Sequence, residues 1–186
     1  MKTEVKQLTS TKIVIGPFRL SYAYLTQKFD KGVGEPKFMT NVLIPKSDTR
    51  TIAAINEAIK AAIEEGISKK WGGKKPRKLD TPLRDGDEKE PASPDYEGML
   101  YINPKSSKRP PIVDKNKVPL VDDDEIYSGM WANVIISFWP YAASGNNGIG
   151  VGLEAVQKVK DDDRLGGGVG SVEAFDVFDN SEEADY

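Results

Sequence analysis

Apolar and polar positions alternate most regularly over residues 126–141, IYSGMWANVIISFWPY. Met130, Ala132, Val134, Ile136 and Phe138 fall on one side of an extended chain, and Trp131, Asn133, Ile135, Ser137 and Trp139 on the other. Successive side chains of a strand point to opposite faces, so the first set reads as core and the second as a mixed face of the kind that binds. Residues 13–25, IVIGPFRLSYAYL, are β-branched and aromatic and predict a strand with a bulge or bend at Gly16-Pro17. Alternation there assigns Phe18, Leu20, Tyr22 and Tyr24 to one face and Arg19, Ser21 and Ala23 to the other. DKGVGEP (30–36) predicts a turn and KFMTNVLI (37–44) a second strand, forming a hairpin with the first.

A different period follows. Ile52, Ile55, Ile59 and Ile63 recur every three or four residues, which predicts a helix with one apolar stripe packed on a core. Asp48 or Ser47 is placed to cap its start, and Gly66 to end it after about Glu65. From Gly66 to about residue 97 the pattern dissolves into a long polar and basic insertion. GMLYIN (98–103) predicts a short strand, Ile112-Val113 marks another, and 149–160 predict a strand or a strand running into a short helix. Short strands, one helix and Gly/Pro-marked turns favour a small β-barrel over a parallel α/β sheet.

Composition narrows the chemistry. The chain has no cysteine and no histidine. Disulfides, thiolate zinc sites and Ser-His or Cys-His nucleophiles are excluded, which moves weight from catalysis to binding. No apolar run is long enough for a bilayer, and MKTEVKQLTSTK lacks the apolar core of a secretory signal, so a soluble intracellular protein is expected.

Charge is distributed unevenly. Asp161 to Tyr186 hold nine acidic residues and one arginine, net −8 against −3 for the whole chain, which leaves +5 for residues 1–160. A basic body with an acidic, aromatic-ended tail suits a protein that handles single-stranded nucleic acid. The last residues, DNSEEADY (179–186), are expected to be disordered. There Asp179, Glu182, Glu183, Asp185 and Tyr186 would compete with nucleic acid for a basic groove or recruit protein partners.

The positive side concentrates in two loops. Lys69, Lys70, Lys74, Lys75, Arg77 and Lys78 surround Trp71, and Lys105, Lys108 and Arg109 follow a strand that carries Tyr101. Clustered cations release counterions from a phosphate backbone, and an exposed indole stacks on any base. The alternative is a solvated loop whose Trp71 packs back onto the barrel. Asp122 to Asp124 and Asp161 to Asp163 are acidic triplets, but neighbours on an extended chain diverge and make a poor magnesium cage. GIGVG (148–152) does not complete a dinucleotide fingerprint. No cofactor or metal is expected.

Taken together, GPFRLSYAYL (16–25), KFMTNVLIPK (37–46), IYSGMWANVIISFWPY and GNNGIGVGLEAVQKVKDDDRLGGG (145–168) resemble the tailed-bacteriophage single-stranded DNA-binding proteins. The tail is similar to that of the T7-type binding proteins, with Tyr186 where such tails commonly end in Phe. The resemblance implies a mainly β fold: a five-stranded OB-fold barrel with one amphipathic helix, carried by residues 1–178, with the insertion at about 66–97 and the acidic tail at 179–186. It implies a non-enzymatic protein that coats single-stranded DNA, with little sequence preference, during phage replication or recombination in the cytoplasm of the infected host. Protein partners from phage or host would meet its tail. From charge and alternation, Arg19, Lys37, the 69–78 loop and the 105–109 run are expected to track phosphates. Tyr22, Tyr24, Trp71, Tyr101, Trp131 and Trp139 are the stacking candidates. Two rival readings are a magnesium-dependent nuclease or recombination enzyme using the Asp triplets, and an adaptor that uses the tail alone.

Overall fold

The computed structural model describes residues 1–30 and 34–165. The expected tail, 179–186, lies outside the described residues. Among those described, nine strands and one α-helix run in the order β1 (Glu4–Gln7), β2 (Lys12–Phe29), β3 (Lys37–Pro45), α1 (Thr49–Lys69), β4 (Arg84–Asp85), β5 (Met99–Ile102), β6 (Lys105–Ser106), β7 (Ile112–Val113), β8 (Trp131–Ala143) and β9 (Asn146–Lys160). Five strands close a ring: β2 pairs with β8, β8 with β9, β9 with β6, β6 with β3, and β3 with β2. This is the five-stranded OB-type barrel with one helix that the sequence led us to expect. β1 lengthens the sheet beside β2, β5 and β4 extend it beyond β3, and β7 runs parallel to β9.

Alternation places the core. Ala132, Val134, Ile136 and Phe138 of β8 meet Ile13, Ile15, Phe18 and Leu20 of β2 inside the ring, and Ile55, Ala58, Ile59 and Ala62 of α1 close it. The expected bulge at Gly16-Pro17 is present: the β2–β8 register shifts between Ile15 and Phe18, and that peptide bond is cis.

Three local expectations need correction. Tyr22 and Tyr24 do not continue the inward face of Phe18 and Leu20. Tyr22 takes a left-handed backbone (φ 47°) and the β2–β3 register shifts between Ser21 and Tyr24, so the phase changes; Tyr22 is turned out and Leu25 buried. The helix does not stop at Gly66 but continues to Lys69, with Asp48 as its cap. Gly66 serves close packing instead, since a Cβ there would meet Trp71 Cζ3 at 2.5 Å and Pro140 Cβ at 2.7 Å. The chain leaves the helix at Gly72 and Gly73, both in left-handed conformations. The long strand begins at Trp131 rather than Ile126, because residues 126–130 form a turn through Gly129 (φ 112°). Of the two readings for 149–160 the plain strand holds, since Asn146–Lys160 are strand throughout. β1 had no signal, because EVKQ carries a single apolar residue, Val5, which packs only partly against the core.

Candidate nucleic-acid interface

Two strands make the floor of the site. Trp139 and Tyr141 are outward positions of β8, and they pair with Gly150 and Gly148 of β9. Ile149, Val151 and Leu153 point into the core, so Gly148, Gly150 and Gly152 form a bare outward stripe. The aromatic rings fill that space. A Cβ on Gly150 would lie 2.7 Å from Trp139 Cε2, and one on Gly152 would lie 2.7 Å from Trp139 Cζ3. The indole therefore lies flat across the β9 backbone and keeps 45 % of its residue surface exposed. A flat, half-exposed indole on a rigid sheet is a stacking platform.

Around this floor is a cleft of about 490 Å³. Lys37, Asn103, Lys105, Ser106 and Ser107 line it, and Asp80, Pro82 and Arg84 also contribute. Register explains the grouping: Lys105 pairs with Met39 of β3 and Gly152 of β9, which brings the start of β3 and the β8–β9 tip to one place. Asp80 is tied to that tip by its backbone, donating to Asn147 O at 3.0 Å and accepting from Ile149 N at 2.8 Å. The Tyr141 hydroxyl donates to the Asp80 carboxylate at 3.3 Å. Burial and the neighbouring Asp80 charge push the Tyr141 phenol above its ordinary range, so it stays protonated as a donor.

The basic loop reaches the same tip. Trp71 donates through Nε1 to Tyr141 O at 3.3 Å. Lys74, Lys75, Arg77 and Lys78, all exposed, thus lie on a short stretch of chain anchored at both ends, by Trp71 and by Asp80, to the β8–β9 edge. Trp71 itself is not the exposed indole anticipated from the sequence. It is half-buried against the core, since Gly66 and Pro140 leave room for its ring.

The remaining expected residues divide. Lys37, Lys105 and Trp139 meet in the cleft. Tyr24 packs on Phe29 with ring centroids 4.5 Å apart. Tyr101 meets Tyr96 edge-on at 5.1 Å, and Tyr22 stands exposed with the Lys89 ammonium 5.3 Å from its ring centroid. Lys69 pairs with Glu65 at 3.4 Å, Arg109 with Asp123 at 2.8 Å, and Lys70 and Lys108 are exposed. Arg19 and Trp131 sit together at the far end of β8, both in contact with Asp162. Sequence reasoning passed over Tyr141, Arg84, Asn103, Ser106 and Ser107. Tyr141 carried a signal, being two residues beyond Trp139 on the same face; the others depend on which strands become neighbours.

The acidic triplets are engaged in structure. Asp122 accepts from Asp124 N at 2.9 Å, Asp123 pairs with Arg109, and Asp161 pairs with Lys158 at 2.8 Å. No group of three metal-ligating side chains converges among the described residues.

Known proteins share the family and the fold. Residues 11–186 match the family model of the single-stranded DNA-binding protein of Enterobacter phage Enc34. Protein p50 of Acyrthosiphon pisum secondary endosymbiont phage 1 is 38% identical over 184 residues, covering 92% of this chain and 96% of that protein. The structure of the Enc34 single-stranded DNA-binding protein in complex with ssDNA superposes with a TM-score of 0.74 at 29% identity, over 84% of this chain and 90% of that one. The single-stranded DNA-binding protein gp2.5 of bacteriophage T7 shares the fold, with a TM-score of 0.57 at 17% identity over 99% of both chains. With its barrel, its cleft and a family match over nearly its whole length, the chain belongs to the Enc34 family of phage single-stranded DNA-binding proteins.

Proposed function

We propose that this protein binds single-stranded DNA in the Trp139 cleft, with little preference for sequence, and coats it during phage DNA replication or recombination. The observation that carries the reading is the Trp139 indole, flat on Gly150 and Gly152, half-exposed, in one cleft with Lys37, Lys105 and Arg84. Every base has a face that an indole accepts, and cations at the rim take phosphates without reading sequence. The likeness to the Enc34 protein, whose structure was solved in complex with ssDNA, supports the same ligand. Lys74, Lys75, Arg77 and Lys78 extend the positive rim, and Tyr22 and Tyr101 are outlying aromatic contacts. Binding, rather than catalysis, is the activity, and the infected host's cytoplasm is its setting. The acidic end, Asp179 to Tyr186, competes for the cations and offers a peptide to replication proteins.

An oligo-dT titration followed by tryptophan fluorescence tests this. Expected is tight binding that quenches fluorescence, weakens with salt and is much weaker for duplex. Equal affinity for duplex, or an unchanged affinity in Trp139→Ala, would overturn it.

A further inference from the structure

Trp131 and Arg19 lie at the opposite end of the β8 outer face from Trp139. Eight residues separate the two tryptophans, about 26 Å along a strand. The Trp131 indole N–H donates to Asp162 Oδ2 at 2.7 Å, and the Lys160 ammonium lies 5.0 Å from its ring centroid. Two backbone carbonyls position the Arg19 guanidinium, Gly129 O at 3.1 Å from Nε and Asp163 O at 2.6 Å from Nη2. Its distance to the Asp162 carboxylate is longer, 3.5 Å. The guanidinium is therefore held by the backbone, and the Asp162 side chain is only a loose partner to it.

The anchors of the 161–165 segment lie elsewhere. Asp161 pairs with Lys158 and accepts from the Tyr127 hydroxyl at 2.7 Å, and Leu165 N donates to Ser128 O at 2.9 Å. Swinging the Asp162 side chain away breaks its bonds from Trp131 Nε1 and, at Oδ1, from Asp163 N at 2.7 Å, but leaves those anchors of the backbone in place. What it would uncover is an indole with a free donor, a pre-aimed guanidinium and a lysine. A phosphate carries the charge and acceptor oxygens that the carboxylate now supplies.

We infer that Arg19, Trp131 and Lys160 form a second single-strand subsite, and that the Asp162 carboxylate stands in it where a DNA phosphate lies when a longer strand is bound. This rests on the reading of the Trp139 cleft as the primary site. Asp95 and Glu97 line the groove on the β3–β5 side of Trp131, which keeps the strand on the β8–β9 side, over Lys160. Asp162 thus sets a length threshold: a short strand fills the cleft alone, and only a longer one displaces the carboxylate and gains the second contact.

The test compares wild type, Asp162→Ala, Asp162→Asn and Asp162→Ala/Trp131→Ala on dT oligomers of about four and about sixteen nucleotides, the span of site sizes for one such barrel. Fluorescence anisotropy reads affinity, and thermal melting confirms that each variant is folded. Asp162→Ala should bind the long oligomer about fivefold tighter, the low end of one stacked base, and the short one unchanged. Adding Trp131→Ala should erase the gain. Asp162→Asn keeps an acceptor for the indole and should gain less. The inference fails if Asp162→Ala leaves long-oligomer affinity unchanged, tightens both lengths equally, or keeps its gain without Trp131. Trp139→Ala on the short oligomer reports on the cleft separately: intact affinity there sinks the primary reading.

Discussion

The indole of Trp139 occupies the space that a side chain on Gly150 would need: a Cβ there would lie 2.7 Å from Cε2 and 2.8 Å from Nε1 of the ring. The ring's orientation is therefore set by what Gly150 lacks. Gly150→Ala should lift the indole off the sheet while leaving Trp139, the proposed stacking residue, and the cleft cations chemically unchanged. Loss of a stacked base costs about 1–3 kcal/mol on alanine substitution. Trp139→Ala should weaken oligo-dT binding by that amount, and Gly150→Ala by a substantial part of it. Anisotropy titrations measure both. A Gly150→Ala protein with full affinity and unshifted Trp emission would show that the flat pose does not matter.

Salt dependence separates the cations from the ring. Each phosphate contact to a single strand contributes about 0.7 to the slope of log K against log salt. Lys37→Ala and Arg84→Ala should each flatten the slope by about that amount while keeping fluorescence quenching. Trp139→Ala should do the reverse, losing affinity and quenching at constant slope. The same logic applies to Lys74, Lys75, Arg77 and Lys78: if the loop reaches DNA, replacing all four by Ala flattens the slope further, and an unchanged slope would place the loop off the path.

Why Trp139 was legible in the sequence and Trp71 was not is a matter of range. The β8 face assignment needs only the two-residue period of a strand, and Ala132 to Phe138 are buried as that period demands. Trp71 looked exposed because its neighbours are Lys and Gly. Its burial is decided by Gly66, one turn back on α1, and by Pro140, far away in sequence. The cleft needed the same kind of information. Arg84 and Ser106 belong to two-residue strands that exist only because β5 and β3 are already there to pair with them. The phase change at Tyr22 is also invisible to alternation, since a left-handed residue inside a strand has no signature when it is not glycine. The charge split was legible in part. Asp161 to Asp163 belong to the barrel's end, as their bonds to Lys158, Trp131 and Arg19 show.

The segment between α1 and β5 is more than a surface insertion, because Tyr96 is buried at 1 % exposure against the outside of the barrel. Its hydroxyl donates to Ser21 Oγ at 3.0 Å and accepts from Asn41 Nδ2 at 2.7 Å, and Asn103 Nδ2 donates to Asn41 Oδ1 at 2.8 Å. The chain of bonds ends at Asn103, in the cleft wall. Tyr96→Phe should leave the Asn41 amide short of an acceptor and cost about 1–3 kcal/mol, the penalty for an unmet buried polar group. Urea unfolding monitored by circular dichroism checks this. Because the network ends in the cleft, oligo-dT affinity should fall slightly as well, whereas Tyr101→Phe should change neither.

Acid should loosen the start of the helix. Asp48 caps α1, accepting from Thr51 N at 3.1 Å, Thr51 Oγ1 at 2.9 Å and Thr3 Oγ1 at 2.6 Å. Burial pushes its carboxyl up, but the bonds from Thr3 and Thr51 outweigh this and hold it below the ordinary aspartate range. A pKa lowered by folding contributes stability that is present above the unfolded value and is lost as pH falls through the folded one. Asp48 should therefore contribute fully at neutral pH and lose its contribution below about pH 4, where a free aspartate titrates. Asp48→Ala removes the cap at every pH and should cost about 1 kcal/mol. Asp48→Asn keeps a capping oxygen without a titrating group, so its stability should fall less between pH 5 and pH 3 than that of the wild type. Melting curves across that range decide it: parallel acid profiles for Asp48→Asn and wild type would mean that other carboxylates, with Asp161 and Asp162 the first candidates, carry the acid sensitivity.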